Sequence, residues 1–482
     1  MKLNRMIYFG IGLLTILAVS SCKKWISVTP KTQIENEIFF SDRQGYVEGL
    51  NGVYIKLVGT PLYGRELTFG MLDVLGRTYS ISSSTNGRAG INRDLYNGLY
   101  LNAGANDLIR VSWENMYNAI ANLNNLIDHL ETADRSMFQA GEYEMIKGEA
   151  LGLRAYLHFD LIRLFTRSYK DGGANSPGIP YVTTYSPTTT PRLTVKDAMA
   201  KVIADLKAAE SILKNDLIVT GAPNTALTST FDLRKERFNY YAVKGTLARA
   251  YHWMLDDANA LKEAEDLIAV RATRMPFIAL TALTAADPGK NRVFTSEHVF
   301  GVTSPLLQQN YLNYLDTSRL AQSLKITTAM KNEIYENSNT DYRVQYLVKD
   351  VSADATLAIG LRGIWYSKLI QPAASKRMPL MKITEMYYIA AECLAVLDPP
   401  KATGYLNTVR NARGLTNLGS GLSTSAILTE ITKEYRKEMP CEGQMFYYYK
   451  RTNATTVPGF GGIFPAAQYV LPLPQQELDF GF

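Results

Sequence analysis

Between Glu142 and Thr166 apolar side chains recur at steps of three and four: Ile146, Ala150, Leu153, Leu157, Leu161 and Leu164. A second row, Gly148, Gly152, Ala155 and Phe159, falls on roughly the opposite side. This spacing predicts one helix buried on two faces, because a surface helix needs only a single apolar stripe. Such a helix must lie between others, and its small row lets a neighbour approach closely.

The same period returns along the chain. Gly45 to Leu57 carries Tyr46, Leu50, Val53, Tyr54 and Leu57 at helical spacing, and a helix capped by Ser112 presents Trp113, Met116, Tyr117, Ile120, Leu123, Ile127 and Leu130. These two are expected to form a first pair. Thr194 and Asp197 make a capping-box pattern ahead of Val195, Met199, Val202, Leu206, Ala209 and Leu213. A partner follows from Arg237 to Leu255, where Ala242, Gly245 and Ala248 stand where helices touch. Further helices are expected over 258–269, 379–397, 401–413 and 424–439. No strict repeat of ~34 residues is visible, so these are at most degenerate helical hairpins.

Two stretches break the period, residues 59–111 and 275–375, the second with a short strand-like run from His298 to Val302. Aperiodic stretches of this length in a compact protein are usually functional or disordered. Tyrosine is abundant, 30 residues against 17 Phe. A tyrosine offers a flat apolar ring and a hydroxyl, which suits a surface that stacks on a ligand and also hydrogen-bonds it. Tyr79, Tyr96, Tyr100, Tyr311 and Tyr314 fall in these stretches, with Arg88 and Asn92 among the first group. We take these seven as candidate ligand-binding residues, against the plainer reading that loop tyrosines fold back onto the core.

Composition keeps the chain globular, with 46% hydrophobic and 20% charged residues, and a net charge of +6 over 482 residues leaves no concentrated basic footprint for nucleic acid. The N-terminus changes the picture more. Lys2 and Arg5 precede an apolar run from Met6 to Val19, then Ser20, Ser21 and Cys22. This pattern is a secretory signal over residues 1–21, and Val19-Ser20-Ser21-Cys22 resembles a bacterial lipobox in which Cys22 takes a lipid. No later run reaches the ~18 apolar residues that span a bilayer, so the mature chain is expected to be anchored to a membrane and not threaded through it.

Signals for catalysis are lacking. There is no GxxxxGK[ST] loop, HExxH, GxSxG or clustered CxxC. His129, His158, His252 and His298 lie far apart and read as structural, and Cys393 and Cys441 read as isolated buried thiols, with a disulfide left open by export. No catalytic residue, metal ligand set or cofactor is expected.

A series of segments then matters together: Cys22 to Pro30; LNGVY at Leu50; WENMYNAIANLNNLI at Trp113; LRAYLHFDLIRLF at Leu153; GIPYV at Gly178; YYAVKGTLARAY at Tyr240; ITEMYYIAAECL at Ile383; LNTVRNARG at Leu406; EYRKEMPCEGQMFYYYKR at Glu434; and LPLPQQEL at Leu471. In order and spacing the chain resembles the SusD/RagB family of outer-membrane lipoproteins from Bacteroidetes over essentially its whole mature length. It departs from the family at Ser27, Met445 and Tyr448, at Lys382 where an Arg is usual, and at Lys23 and Lys24 where an acidic surface-export signal sometimes follows the lipidated cysteine.

The resemblance implies a mainly α fold of degenerate tetratricopeptide-like helix hairpins, an α-α superhelix with a loop-rich ligand-binding layer and few short strands. Residues 22–275 and 276–482 are then N- and C-terminal regions packed as one compact unit. It also implies a non-enzymatic, cell-surface glycan-binding lipoprotein of the outer membrane that serves a SusC-like TonB-dependent barrel transporter. An oligopeptide receptor of the same transporter type, or a lipid-anchored glycoside hydrolase, are the alternatives. The family's ligand residues are not defined by motif.

Overall fold

In this computed structural model the chain is described for residues 37–221, 233–287, 289–315, 324–372 and 375–480; Cys22 and the leader lie outside them. The chain divides into residues 1–47 and residues 48–482; apart from the first turn of α1, everything discussed below belongs to the second unit. Its helices follow the apolar period and pass contacts on in chain order. α1 (Arg43–Leu57) is succeeded by tight turns, α2 (Met71–Leu75), α3 (Gly87–Tyr96), α4 (Ala103–Thr132) and α5 (Glu142–Phe165). α5 is the helix with two apolar rows, and every residue but Glu144 and Lys147 is buried. β1 (Pro177–Pro180) and β2 (Arg192–Thr194) pair beside it and lead into α6 (Val195–Ile212), α7 (Tyr240–Trp253) and α8 (Asp257–Arg274).

The middle of the chain holds β3 (His298–Thr303), α9 (Leu307–Tyr314), α10 (Thr328–Tyr335), α11 (Tyr342–Leu347), β4 (Val348–Asp350), β5 (Ile364–Tyr366) and β6 (Arg377–Lys382). β3 pairs antiparallel with β6, and β4 with β5. β6 runs straight into α12 (Ile383–Leu394), followed by α13 (Pro399–Ala412), α14 (Thr424–Glu438) and α15 (Gln444–Thr452). α5 packs between α4 and α6, α6 on α7, α7 on α8, α8 on α12, and α12 on α13 and α14. No helix among the described residues is long and apolar enough to cross a membrane.

The small row of α5 is used as its spacing implies. A Cβ on Gly148 would lie 2.5 Å from Leu213 Cγ, and one on Gly152 would lie 2.5 Å from Phe238 Cδ1. The close approach is therefore made by side chains flanking α6 and α7. The last turn of α5 leaves carbonyls that need donors. Leu164 O accepts from Lys450 Nζ and from the Leu471 N–H, each at 3.1 Å. Thr194 caps α6 as expected, its Oγ1 accepting the Asp197 N–H at 3.1 Å.

The structure differs from the sequence expectation in three places, one being the helix expected over 379–397, whose first residues 379–382 belong to strand β6. α4 starts at Ala103, and Ser112 is an interior residue whose hydroxyl lies 3.0 Å from both Leu108 O and Pro61 O. Packing overrides the weak propensity of the first turns: a Cβ on Gly104 would stand 2.7 Å from Ile91 of α3. Residues 59–111, aperiodic in sequence, hold turns and two short helices, and Tyr311 and Tyr314 lie on α9.

Buried ion pairs link the helices, some of them within or between the segments that carry the resemblance. Arg154 holds Asp205 with two bonds of 2.8 Å and reaches Asn124 at 3.1 Å, while Tyr181 donates to the same Asp205 at 2.7 Å. Arg234 clasps Asp216 and Glu149, and Arg237 adds a bond to Glu149 at 3.1 Å. Arg249 forks onto Glu385 at 2.7 and 2.5 Å. Lys382, standing in place of the family's usual Arg, reaches Glu438 at 2.5 Å and Glu442 at 2.8 Å.

Candidate functional site

The residues after α2 leave the helical layer, and Arg77 takes a left-handed backbone, φ +56°. The residue is 5% exposed, and its guanidinium sits 4.1 Å from the centroid of the Tyr96 ring and 5.2 Å from those of Phe460 and Phe464. Nη2 donates to Tyr96 O at 2.8 Å, whereas Nε and Nη1 have no oxygen or nitrogen partner and are enclosed by the rings. Cation–π attraction thus holds the last turn of α3 against the 457–464 turn. Gly459, φ +68°, completes the seat: a Cβ there would lie 2.2 Å from the Tyr96 hydroxyl.

Around this ring opens a groove of about 510 Å³. Ser80, Ser82, Ser83, Arg93, Asn97 and Glu333 supply polar groups, and Ile81, Met330, Pro458 and Tyr96 supply apolar surface. The Ser80 N–H donates to Lys325 O at 2.8 Å, which pins the serine-rich segment beside α10. Beneath it the Tyr79 hydroxyl lies 3.0 Å from Phe69 O and 3.1 Å from Asp73 Oδ2. Asp73 also accepts N–H groups from Cys441 at 2.6 Å and Gly443 at 3.1 Å. Burial pushes its carboxyl up to about 7, against the lowering effect of those donors. Glu333 is the groove's one carboxylate among the described residues, and it pairs with Arg436 at 2.7 Å. Such a lining can stack on a flat apolar face and exchange hydrogen bonds with hydroxyls; it lacks a nucleophile set beside a base.

The seven candidate residues fall in four places. Tyr96 and Tyr79 line this groove, although Tyr79 is only 1% exposed. Arg88, Asn92 and Tyr314 form a neighbouring cluster: Arg88 forks onto the buried Glu66 at 2.9 and 2.6 Å, donates to Asn92 Oδ1 at 2.9 Å, and lies 5.0 Å from the Tyr314 centroid. Tyr311 is a core residue, its hydroxyl accepting from Trp365 Nε1 at 3.0 Å. Tyr100 is buried, donates to Gln468 O at 2.6 Å, and borders a separate groove of about 880 Å³ with a largely apolar wall that includes Leu101, Phe165 and Leu478. Arg77, the serines 80, 82 and 83, Arg93, Glu333 and Gly459 were not singled out from the sequence. The serine run next to Tyr79 was the available signal; the glycine-rich turn at Gly459 reads only as a turn until its contact with Tyr96 is seen.

A stack of helix pairs bearing an open groove beside an aromatic ring defines a protein of the helical-repeat class. Family models sharpen that class: residues 49–252 match one described as starch-binding and associating with the outer membrane, and residues 371–459 match that of the SusD family. The chain belongs to the SusD family. Among solved structures, a SusD superfamily protein from Bacteroides thetaiotaomicron superposes with a TM-score of 0.69 at 22% identity, covering 91% of this chain and 98% of that one. A SusD-like carbohydrate binding protein from Bacteroides vulgatus gives 0.68 at 21% identity, covering 91% and 96%. A laminarin binding SusD-like protein gives 0.65 at 18%, covering 91% and 98%. No curated protein matches the sequence.

Proposed function

We propose that this chain is a cell-surface glycan-binding lipoprotein without catalytic activity, anchored through Cys22, that captures oligo- or polysaccharide in the Tyr96 groove and passes it to a SusC-like TonB-dependent barrel transporter. The observation that carries the reading is the Tyr96 ring, braced by Arg77 and Gly459 and flanked by serine hydroxyls. A sugar presents flat C–H faces with hydroxyls around the rim, and this wall offers the complementary surfaces. The starch-binding family description and the laminarin-binding neighbour support the ligand class. Arg88 and Tyr314, next to the groove, extend the contact to longer chains.

Calorimetric titration of α- and β-glucan oligosaccharides tests this. Tyr96→Ala should weaken binding by ~1 kcal/mol or more, the scale of a useful aromatic contact, with little change in melting temperature. Tyr79→Ala should instead lower stability, because its ring is core. Binding of peptides in place of sugars, release of reducing sugar at catalytic rates, or unaltered affinity in Tyr96→Ala would each overturn the reading.

A further inference from the structure

The corner where α7 ends, α8 begins and α12 ends gathers three metal-ligating side chains remote from the groove. His252 lies in the last turn of α7, Asp257 opens α8, and Cys393 lies in the last turn of α12. One ring nitrogen, one carboxylate oxygen and Cys393 Sγ all lie within 4.8 Å of one another, and Sγ stands 3.7 Å from Asp257 Oδ1. Glu392 Oε1 is 3.7 Å from His252 Nε2. The sequence treats these as a structural histidine and an isolated thiol; their separation along the chain hid the meeting.

We infer that His252, Asp257 and Cys393 form a binding site for a zinc-class divalent cation, with Glu392 or a water molecule completing the shell. Bonds of about 2.0–2.3 Å to N, O and S ligands place the corners of a tetrahedron roughly 3.3–3.8 Å apart, so the observed spread closes with small side-chain rotations. A thiolate beside an imidazole selects zinc-class ions over Ca²⁺ or Mg²⁺. The plain alternative, a thiol donating to Asp257 beside an imidazole that accepts from Arg451, rests on a long S···O contact of 3.7 Å. The charges also suit a dication: Asp257 and Glu392 face the thiol, and of the two cations at this corner Lys170 lines the adjoining groove while Arg451 clasps Glu392 at 2.8 and 2.7 Å and reaches His252 Nε2 at 3.2 Å. Ligation through Nε2 would displace only the Arg451–His252 bond. Ligation through the other nitrogen would leave Glu392 placed to orient the ring. Asp257 is exposed while His252 and Cys393 are buried, so an ion can enter from the neighbouring groove of about 520 Å³. Binding releases one proton, from Cys393 Sγ to solvent, and moves no electrons.

The test uses the purified, reduced, chelator-treated protein. Equilibrium dialysis against Zn²⁺ should yield about one ion per chain, with one proton released, and Co²⁺ should give an intense near-ultraviolet thiolate-to-cobalt band. Cys393→Ser should remove the band, and Cys393→Ser and Asp257→Asn should each weaken Zn²⁺ binding at least tenfold. The Asp257 variant stands on its own if Cys393→Ser fails to fold, since Asp257 is exposed. No stoichiometric Zn²⁺, a Co²⁺ complex without the band, displacement by millimolar Ca²⁺, or unaltered affinity in the folded variants would overturn the site.

Discussion

Gly459 and Tyr96 show how much of the groove rests on single contacts. With φ at +68° and no room between its Cα and the Tyr96 hydroxyl, position 459 tolerates no side chain. Gly459→Ala is expected to cost about 1–2 kcal/mol in backbone strain and to push the ring from its seat on Arg77. Glucan affinity should then fall about as far as in Tyr96→Ala, measured by calorimetry, while Gly461→Ala, with nothing within 4 Å of the added carbon, should leave both affinity and melting temperature in place. At this scale the sequence was partly legible. The abundance of tyrosine pointed to a stacking surface, yet a ring in an aperiodic segment carries no sign of which way it faces. Tyr79 turns to Asp73 and Tyr311 to Trp365, while Tyr96 looks into the groove. The small residues of α5 were legible, because a glycine at helical spacing has one physical use in a buried face: proximity.

Among the elements, α5 was the most legible, since its two apolar rows allow no other placement. It also carries a titratable group deep inside. The His158 ring stacks on Tyr181 at 3.9 Å; its Nε2 accepts the Val182 N–H at 3.0 Å, so its Nδ1–H donates to Arg154 O at 2.9 Å. Burial, with Arg154 adding repulsion, holds its pKa down at about 3, and burial does the same for His298, also about 3. Both folded values lie below the ~6.5 of an unfolded chain, so the unfolded state binds more protons as pH falls. The stability these neutral imidazoles allow is therefore fully present above pH ~6.5 and is lost progressively towards pH 3, at up to about 1.4 kcal/mol per pH unit for each. Asp73, raised to about 7, takes up a proton in the folded state and offsets one imidazole between pH ~7 and ~4, so urea midpoints should still drop below ~6.5 but with a net slope one proton shallower than the histidines alone would give, and His158→Gln should reduce that slope by about one further proton. The helices that were illegible, the first turns of α4 and the short α2, α3, α9, α10 and α11, lie in the two stretches without a clear apolar period, where tertiary contact adds what local spacing lacks.

Across the whole molecule, buried charge ties the motif segments together. Arg413 bonds Glu297 at 2.8 and 2.6 Å and Glu438 at 3.0 and 2.9 Å, and Arg343 joins Asp341, Glu434 and the same Glu438. Arg413→Met would leave the buried Glu297 without its cation and take one of three cations from Glu438, so we expect a loss of about 3–5 kcal/mol in urea unfolding, with glucan affinity in the folded protein unaltered. The order of the segments along the chain was legible; which cation meets which carboxylate was not, because such pairs obey no periodicity. The longest-range contacts have a further consequence, for the order of events in synthesis. Asp73 receives the Cys441 N–H from 368 residues away, and Leu164 O receives Lys450 from 286 residues away. The floor of the groove and the end of the central helix are thus closed by stretches that emerge from the ribosome hundreds of residues after them. The first helices must wait in a loose, unfinished state until then. Closing loops of that length costs entropy before any contact repays it, so the groove floor is expected to be among the last parts of the molecule to set.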